Sequence, residues 1–415
     1  MPNLAAEKPA TGYAWYALAL LTLVYVLNFL DRVIILYLFP LIKTEYKFTD
    51  LQLSLLGTTA FVIFYTALGI PFGRYADRGS RTKMIAVGLA IWSLFSGLTG
   101  FAWDFWSLFF CRLMVGVGEA TLGPAAISLL ADYFPPNKRA TVTSIYSMGI
   151  ALGAGFAAFF GGYLGQTYGW RAAFYVLGFP GVFLAVLVFV LREPARTQSP
   201  AAQETEYSST DWKKLLSNKS FVLLCLGYAL LGLATNNLSI WGATFYSRVH
   251  KFDLATIGMW GGILTLIAGV PATLLGGLFA DWFRERVDGG RMVYGAILSF
   301  ISIPFWLLLI FTDNVYLILA ANGVLLFAAL AWLGAAAADA TEIAGVNLRG
   351  LAIAVYFFSV NIAAYLIGSN LIGYLSDKLG ATENPLMMRY ALLVCPISCL
   401  LSAVCLFAGS KTRRD

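Results

Sequence analysis

The sequence predicts an all-α membrane protein of twelve transmembrane helices, arranged as two six-helix bundles with pseudo-two-fold symmetry. Three observations predict it: hydropathy, the spacing of long apolar runs and a repeat between the halves. Of 415 residues, 59% are hydrophobic and 12% are charged, with a mean hydropathy of +0.75. Soluble domains carry roughly 25% charged residues. A chain with half that charge is expected to lie in a lipid bilayer.

A membrane-spanning helix needs about 20 mostly apolar residues. The predicted spans cover residues 14–38, 53–75, 83–102, 105–131, 141–163, 172–191, 220–246, 255–280, 291–311, 315–338, 348–376 and 386–408. The longest gap, residues 192–219, is polar and contains Pro and Ser, which predicts a linker. It would join an N-terminal bundle, residues 1–191, to a C-terminal bundle, residues 220–415. Its end, TDWKKLL, is typical of a short surface helix.

Three motifs recur in the same order, 204, 210 and 211 residues apart. GRYADRGSR pairs with GLFADWFRER, ADYFPPNKRA with TEIAGVNLRG, and GYLGQTYG with GYLSDKLG. Three ordered matches at a nearly constant offset indicate duplication of a six-span unit. Duplicated bundles are the usual architecture of secondary transporters, which bind substrate near the midplane between the halves.

The basic residues predict the topology. On the side that holds the N-terminus we count 19 of the 28 basic residues, against 7 on the opposite side. Because Lys and Arg accumulate in cytoplasmic loops, both termini are expected in the cytoplasm and the protein in the inner (plasma) membrane. The net charge of +6 therefore indicates topology and not nucleic-acid binding. The five cysteines lie in apolar runs and no metal-binding pattern occurs, so we expect no disulfides, metal or cofactor.

Four ionisable residues fall inside predicted spans. Asp31 and Arg32 stand in the run LNFLDRVII, and Arg112 and Glu119 in the fourth span. Each ionised group at the bilayer centre costs on the order of 3 kcal/mol. Counting 1.5 Å per residue places Asp31, Arg32 and Arg112 at one depth, and Glu119 two turns deeper on the face of Arg112. We expect the four to form one polar nest, with Asn28 nearby.

This nest has two possible roles. Burial favours the protonated form of a carboxyl group and a nearby guanidinium opposes it, so Asp31 and Glu119 are candidates for proton coupling. Arg32 and Arg112 suit an anionic headgroup, because a guanidinium stays charged and forks toward phosphate or carboxylate. The other interpretation is a fixed structural network of salt bridges.

The second half is less charged. Asn322 and Ala329 occupy the positions 210 residues after Arg112 and Glu119. Neutral residues, Asn236 and Asn361 among them, are therefore the candidates there, either for a headgroup or for joining helices. Close helix packing is expected at three small residues of the fourth span, Gly116, Gly118 and Gly123.

Two motifs carry a family resemblance. GRYADRGSRTK is similar to the loop signature of the major facilitator superfamily, and RLMVGVGEA to its span-four signature. Within it, LNFLDR, RLMVGVGEATLGPAAISLLADYFP and FPGVFLAVLVFVLREP resemble the Spinster family of lipid transporters. The resemblance implies a lysolipid or sphingolipid-type substrate, moved by alternating access with proton coupling. Membrane lipids, protons and an amphiphilic or anionic small molecule would be its partners, and we expect a monomer.

The resemblance also implies a gating latch on the cytoplasmic side. Its residues here would be Asp77, Arg78, Arg81, Asp132, Arg139 and Asp281. Asp77 would face the N-terminal end of the eleventh span, and Asp281 the start of the fifth. The alternative is helix capping combined with topology signalling.

Rival functions remain. A small organic anion, such as a sugar acid or an aromatic acid, would suit the same arginines. A membrane enzyme would need a nucleophile motif or metal constellation that the sequence does not show, and a channel would not need the repeated loop signatures. The single histidine, His250, is expected to be a solvated loop residue.

Overall fold

The computed structural model describes residues 11–135, 138–194, 196, 209–345 and 348–412. These residues form helices joined by short turns, with no β-strand among them. Asn137 and Asn347, which belong to the repeated motifs, lie outside the described residues. So does the side chain of Asp77.

The chain divides into two compact units. Unit 1 consists of Met1–Leu41 and Ala60–Glu204, and unit 2 of Ile42–Thr59 and Thr205–Asp415. Helix α1 (Gly12–Tyr46) runs from unit 1 into unit 2. The other helices of unit 1 are α3 (Ala60–Arg78), α4 (Arg81–Thr99), α5 (Phe105–Glu119), α6 (Leu122–Tyr133), α7 (Arg139–Tyr168), α8 (Trp170–Gly178) and α9 (Pro180–Phe189).

Unit 2 begins with the end of α1, α2 (Asp50–Ser54) and a π-helical segment, Leu55–Thr59, which continues into α3. The remaining helices of unit 2 are α10 (Ser209–Ser217), α11 (Lys219–Val249), α12 (Leu254–Leu264), α13 (Val270–Arg286), α14 (Gly290–Phe311), α15 (Val315–Ala331), α16 (Leu333–Ala344), α17 (Arg349–Asn361), α18 (Ser369–Lys378), α19 (Met388–Ala391) and α20 (Val394–Thr412). π-helical segments Thr265–Gly269 and Ile362–Gly368 join α12 to α13 and α17 to α18. Helix α10 lies where the sequence predicts a surface helix.

Eleven helical segments of the described chain are long and apolar enough to cross a membrane. The protein is thus a multi-pass membrane protein, and the fold class predicted from the sequence is confirmed. The predicted span 105–131 is not among these eleven segments, because two residues, Ala120 and Thr121, interrupt it between α5 and α6. Pro124, which has no N–H, stands in the first turn of α6, and the Thr121 hydroxyl donates 2.8 Å to the carbonyl oxygen of Gly118. Counted as one crossing, α5 and α6 complete a set of twelve.

The helix bounds repeat along the chain. The π-helical segment Leu55–Thr59 is followed 210 residues later by Thr265–Gly269, and Arg139–Tyr168 by Arg349–Lys378. The two sequence repeats therefore share the order of these helices, including the position of a π-helical turn, although both π-helical segments belong to unit 2.

Two glycines set the packing of α5 within unit 1. A Cβ atom on Gly116 would lie 2.5 Å from the carbonyl oxygen of Phe61, and one on Gly118 would lie 2.7 Å from the carbonyl oxygen of Gly88. Only glycine permits these approaches to α3 and α4. The expectation for Gly123 is wrong, because open space surrounds it.

Candidate functional site

The four ionisable residues predicted to form a nest come together inside unit 1, and we call them the buried charge cluster. Helix α1 supplies Asp31 and Arg32, and α5 supplies Arg112 and Glu119. Asp31, Arg112 and Glu119 are at most 1% exposed. The close approach of α5 to α3 at Gly116 lies midway between Arg112 and Glu119, so it holds both side chains against the neighbouring helices.

Within the part of the chain that the structure describes, a close ion pair joins Arg32 to Glu119. The Nη2 and Nε atoms of Arg32 donate 2.8 and 3.1 Å to the same carboxylate oxygen, Oε2. The other oxygen, Oε1, is buried and has no hydrogen-bond partner among the described residues. The carboxylate therefore binds Arg32 through one oxygen, while the other oxygen is buried.

Asp31 is bound differently. Its Oδ1 atom accepts a 2.7 Å hydrogen bond from the hydroxyl of Ser96 on α4. Arg112 donates to backbone, at 3.1 Å to the carbonyl oxygen of Asp31 and 3.4 Å to that of Arg32. Within the described residues, Asp31 has no ion-pair partner within 4.0 Å. Arg112 therefore acts on the Asp31 carboxylate as a nearby charge and does not form a fork.

Arg32 is the accessible member of the cluster. Its side chain is 21% exposed, against 0% for Glu119. Its guanidinium carbon lies 4.9, 4.7 and 4.8 Å from the ring centroids of Phe29, Phe61 and Tyr65. Aromatic faces attract a guanidinium, while its edge donates hydrogen bonds in the plane of the group. Such a surface suits an anion attached to an apolar body.

The asparagine candidates occupy different settings. Asn28 is buried, 2% exposed, and its side chain interacts with the Glu119 carboxylate. In unit 2, the amide of Asn236 donates 2.8 Å to the carbonyl of Gly232 and accepts from the hydroxyl of Tyr365 at 3.0 Å. Asn361 donates 2.9 Å to the carbonyl of Phe357, one turn back on its own helix. The structure thus brings Asn28 into the charge cluster and ties Asn236 and Asn361 to their own bundle.

Among the gating candidates of unit 1, Arg81 at the start of α4 contacts Asp132. Its Nη1 atom lies 2.5 Å from Oδ2 of Asp132 and 2.9 Å from the Ser128 hydroxyl, and its Nε lies 2.9 Å from Oε1 of Glu193. Arg139 donates 3.5 Å to the carbonyl of Phe134, so it closes the end of the preceding helix. Arg78 is exposed at the end of α3.

Glu193 is the residue of this group that the sequence reasoning missed. Its carboxylate also accepts from the hydroxyls of Ser80 and Thr82, at 2.8 and 3.1 Å. Although burial acts in the opposite direction, hydrogen bonds from Arg81, Ser80 and the backbone hold the pKa of Glu193 at about 2. The signal was present: Glu193 stands in the REP sequence that ends the run resembling the Spinster family.

Unit 2 has a matching group 210 residues later. Arg291 lies 2.7 Å from Asp281, 3.1 Å from Glu342 and 3.6 Å from Asp339. Arg284 adds a 3.1 Å contact to Glu342. Each unit therefore holds an arginine at the start of its third crossing against a carboxylate at the end of its fourth.

The expectation for His250 is wrong. Its side chain is 4% exposed and lies 5.3 and 5.7 Å, between ring centroids, from Phe245 and Phe252. Burial and the nearby Arg389 lower its pKa below the usual range. His250 therefore closes the end of α11 as a packed ring, with its Nδ1 atom 3.7 Å from Oδ1 of Asp313. The contacts of its ring with Phe245 and Phe252 depend on the fold of the loop, which a sequence position alone does not reveal.

Comparisons with known proteins identify the family of the chain. The pattern described as Major Facilitator Superfamily matches residues 21–337. A protein of Mycolicibacterium smegmatis named "MFS-type efflux pump" is 28% identical, over 99% of this chain and 96% of its own. The Arabidopsis thaliana protein named "Probable sphingolipid transporter spinster homolog 2" is 27% identical, over 81% of this chain and 72% of its own.

A solved structure is similar throughout. It is the crystal structure of a bacterial homolog to the human lysosomal transporter Spinster, in an inward-facing and unoccupied conformation. The TM-score is 0.86 at 26% identity, covering 97% of this chain and 98% of the other. The resemblance to Spinster proteins that the motifs indicated is confirmed.

Proposed function

Because the chain belongs to the Major Facilitator Superfamily, a class of membrane transporters and not of enzymes, we propose that it moves an anionic, lipid-like amphiphile. A lysophospholipid or a sphingolipid-type molecule would have this chemistry. The substrate would cross by alternating access, coupled to protons. The similarity to a protein named as a sphingolipid transporter supports this substrate class.

The observation that carries the proposal is the setting of Arg32. It is the one charged group of the cluster with substantial exposure, and three aromatic rings surround its guanidinium. A phosphate or carboxylate would bind its edge, while the chain of an amphiphile would continue along the rings. Arg112, fully buried and bound to backbone, would set the local charge and would not touch the headgroup.

Proton coupling follows from competition for Arg32. In the ionised state Glu119 holds Arg32 through Oε2. A proton on Glu119 would weaken that bond and release the guanidinium to an anionic headgroup. Proton and substrate would then each favour binding of the other, because linkage between two sites is reciprocal. Asp31, held by one hydroxyl and beside Arg112, would be the second proton site of the cluster.

The rest of the proposal follows the sequence expectations. The protein would be a monomer in the inner (plasma) membrane. Both of its termini would lie on the cytoplasmic side. The groups around Arg81 and Arg291 would belong to the cytoplasmic gate, with Asp77 and Asp281 as its latch residues. A small organic anion is the alternative substrate, since it too would bind Arg32 but would leave the aromatic rings largely uncovered.

The test is flux into proteoliposomes that contain the purified protein. Lysophospholipids, sphingoid phosphates, sugar acids and aromatic acids are supplied with and without a pH gradient. We expect saturable, gradient-driven movement of the amphiphiles. Glu119→Gln and Asp31→Asn should lose gradient-driven flux yet keep ligand binding at fixed pH.

Glu383→Gln is the matched control, because Glu383 is an exposed carboxylate outside the cluster. If both cluster variants retain wild-type gradient-driven flux, the proton assignment is wrong. If only the small acids move, the substrate class is the alternative one. An ohmic current or a chemically altered product would instead indicate a channel or an enzyme.

A further inference from the structure

A second buried group of charges lies in unit 2, and we call it the Asp50 cluster. The side chain of Asp50 is 0% exposed. Its Oδ1 and Oδ2 atoms accept from the two Nη atoms of Arg248 at 2.6 and 2.7 Å. Lys43 donates to Oδ1 at 2.6 Å, and the Ser376 hydroxyl to Oδ2 at 2.6 Å. A single carboxylate thus joins the ends of α1, α11 and α18.

A second carboxylate fixes the backbone of the same segment. The two oxygens of Asp377 accept from the backbone N–H groups of Asp50 and Leu51, at 2.8 and 2.9 Å. The helices approach so closely because residue 373 is glycine, where a Cβ atom would lie 2.8 Å from the carbonyl oxygen of Asp50. Deeper in the unit, the hydroxyls of Ser54 and Ser369 lie 2.6 Å apart.

The segment held by this cluster begins beside a proline within α1 and ends in a π-helical turn. The chain enters unit 2 after Leu41 and leaves it after Thr59. Pro40 lies inside α1 next to the first boundary, and the π-helical segment Leu55–Thr59 ends at the second. Prolines and π-turns are the usual sites of helix kinks and hinges. Residues 42–59 can therefore change partners without disruption of the helices on either side.

We propose that the Asp50 cluster is the latch that keeps the external side of the transporter closed. The inference rests on the proposed transport function and orientation, which place Lys43, Asp50, Arg248 and Asp377 at the external membrane surface. In the closed state the latch holds residues 42–59 in unit 2. Opening to the outside requires that this segment leave Arg248 and Asp377.

The charges of the cluster make the latch reversible. Two carboxylates face two cations, so the closed state is electrically balanced. A buried ion pair loses solvation when it forms, and water restores that solvation when it opens. Removal of one partner breaks the balance, because a charge without its partner is then left in the closed state. Such a substitution should therefore destabilise the closed state more than the open state.

The test measures access from outside to a reporter cysteine beneath the latch. Ser54→Cys is labelled with a membrane-impermeant maleimide in right-side-out vesicles. The protein without the reporter gives the background from Cys405, the one native cysteine that is not buried. We expect Arg248→Gln to raise the labelling rate about tenfold or more, which corresponds to about 1.4 kcal/mol of shifted equilibrium.

Two further variants separate the latch from general damage. The side chain of Gly373→Val would push α18 away from the backbone of Asp50 without removing a charge. It should therefore also raise the labelling rate. Lys378→Gln removes an exposed cation next to Asp377 and should leave labelling unchanged. If Arg248→Gln does not give a monodisperse protein, Lys43→Gln replaces it, since Lys43 contributes a single bond to Asp50.

Unchanged labelling in both Arg248→Gln and Gly373→Val would overturn the latch, and so would an equal rise in Lys378→Gln. The readout needs no substrate. Absence of lipid flux in the wild-type protein would therefore count against the proposed function and not against the latch.

Discussion

The competition for Arg32 makes a quantitative prediction for Glu119→Gln. Arg32 makes two hydrogen bonds, of 2.8 and 3.1 Å, to one oxygen of Glu119. Hydrogen bonds to charged groups contribute about 1.5–3 kcal/mol and neutral ones about 0.5–1.5 kcal/mol. An amide oxygen carries no charge although Arg32 stays charged; counting the difference once, because both bonds go to a single oxygen, it should hold Arg32 less tightly by roughly 1–1.5 kcal/mol. An anionic headgroup that displaces it should bind about tenfold more tightly to the variant.

The assay is isothermal titration calorimetry on the purified protein. A lysolipid with a phosphodiester headgroup is the probe, because its charge is constant between about pH 6 and about pH 8. Wild-type affinity should rise as pH falls, since protonation of Glu119 releases Arg32. The variant should bind tightly at both ends of this range. Equal, pH-independent affinities in the two proteins would refute the competition, and Glu383→Gln should behave as wild type.

Two predictions concern stability. Glu193→Gln should lower unfolding free energy by about 1 kcal/mol, allowing for solvent screening of a side chain that is 27% exposed. Because the pKa of Glu193 is about 2 and the usual value of a glutamate is 4.5, this contribution to stability is complete above pH 4.5 and is lost as pH falls toward 2. If the melting temperatures of wild type and Glu193→Gln differ by the same amount at neutral and acidic pH, this reasoning is wrong. Gly116→Val should cost about 1–3 kcal/mol by overpacking against Phe61, whereas Gly123→Ala, in open space, should melt as wild type.

Hydropathy was sufficient to place the helices, because an uninterrupted run of about twenty apolar residues is typical of a membrane-spanning helix. It could not locate interruptions within a crossing. The break before α6 leaves the apolar run unchanged and is visible only in Pro124 and Thr121. Gly123, in the same stretch, was expected to pack closely because small residues often do, but no helix lies over it.

The charged residues show a similar limit. Counting turns predicted that Arg32 and Glu119 lie in one region. It did not predict that Arg32 forms the ion pair with Glu119 while Arg112 donates to backbone oxygens. Such choices depend on rotamers and on neighbouring helices. Asp50 and Arg248 were missed because charges near helix ends usually mark topology. Only the folded chain shows that their side chains turn inward.

The unequal charge of the two repeats has a consequence for diversification. After a duplication both copies start with the same residues, yet here Arg112 and Glu119 have only Asn322 and Ala329 at the corresponding positions. Because the positions of the second repeat that correspond to Arg112 and Glu119 are uncharged, substitutions there leave the buried charge cluster of unit 1 unchanged. Under the proposed function, a library restricted to residues around Asn236 and Asn361 would therefore test new substrates while the proposed proton-coupling residues stay constant. The first repeat then keeps the ionisable residues, and the second repeat can be varied.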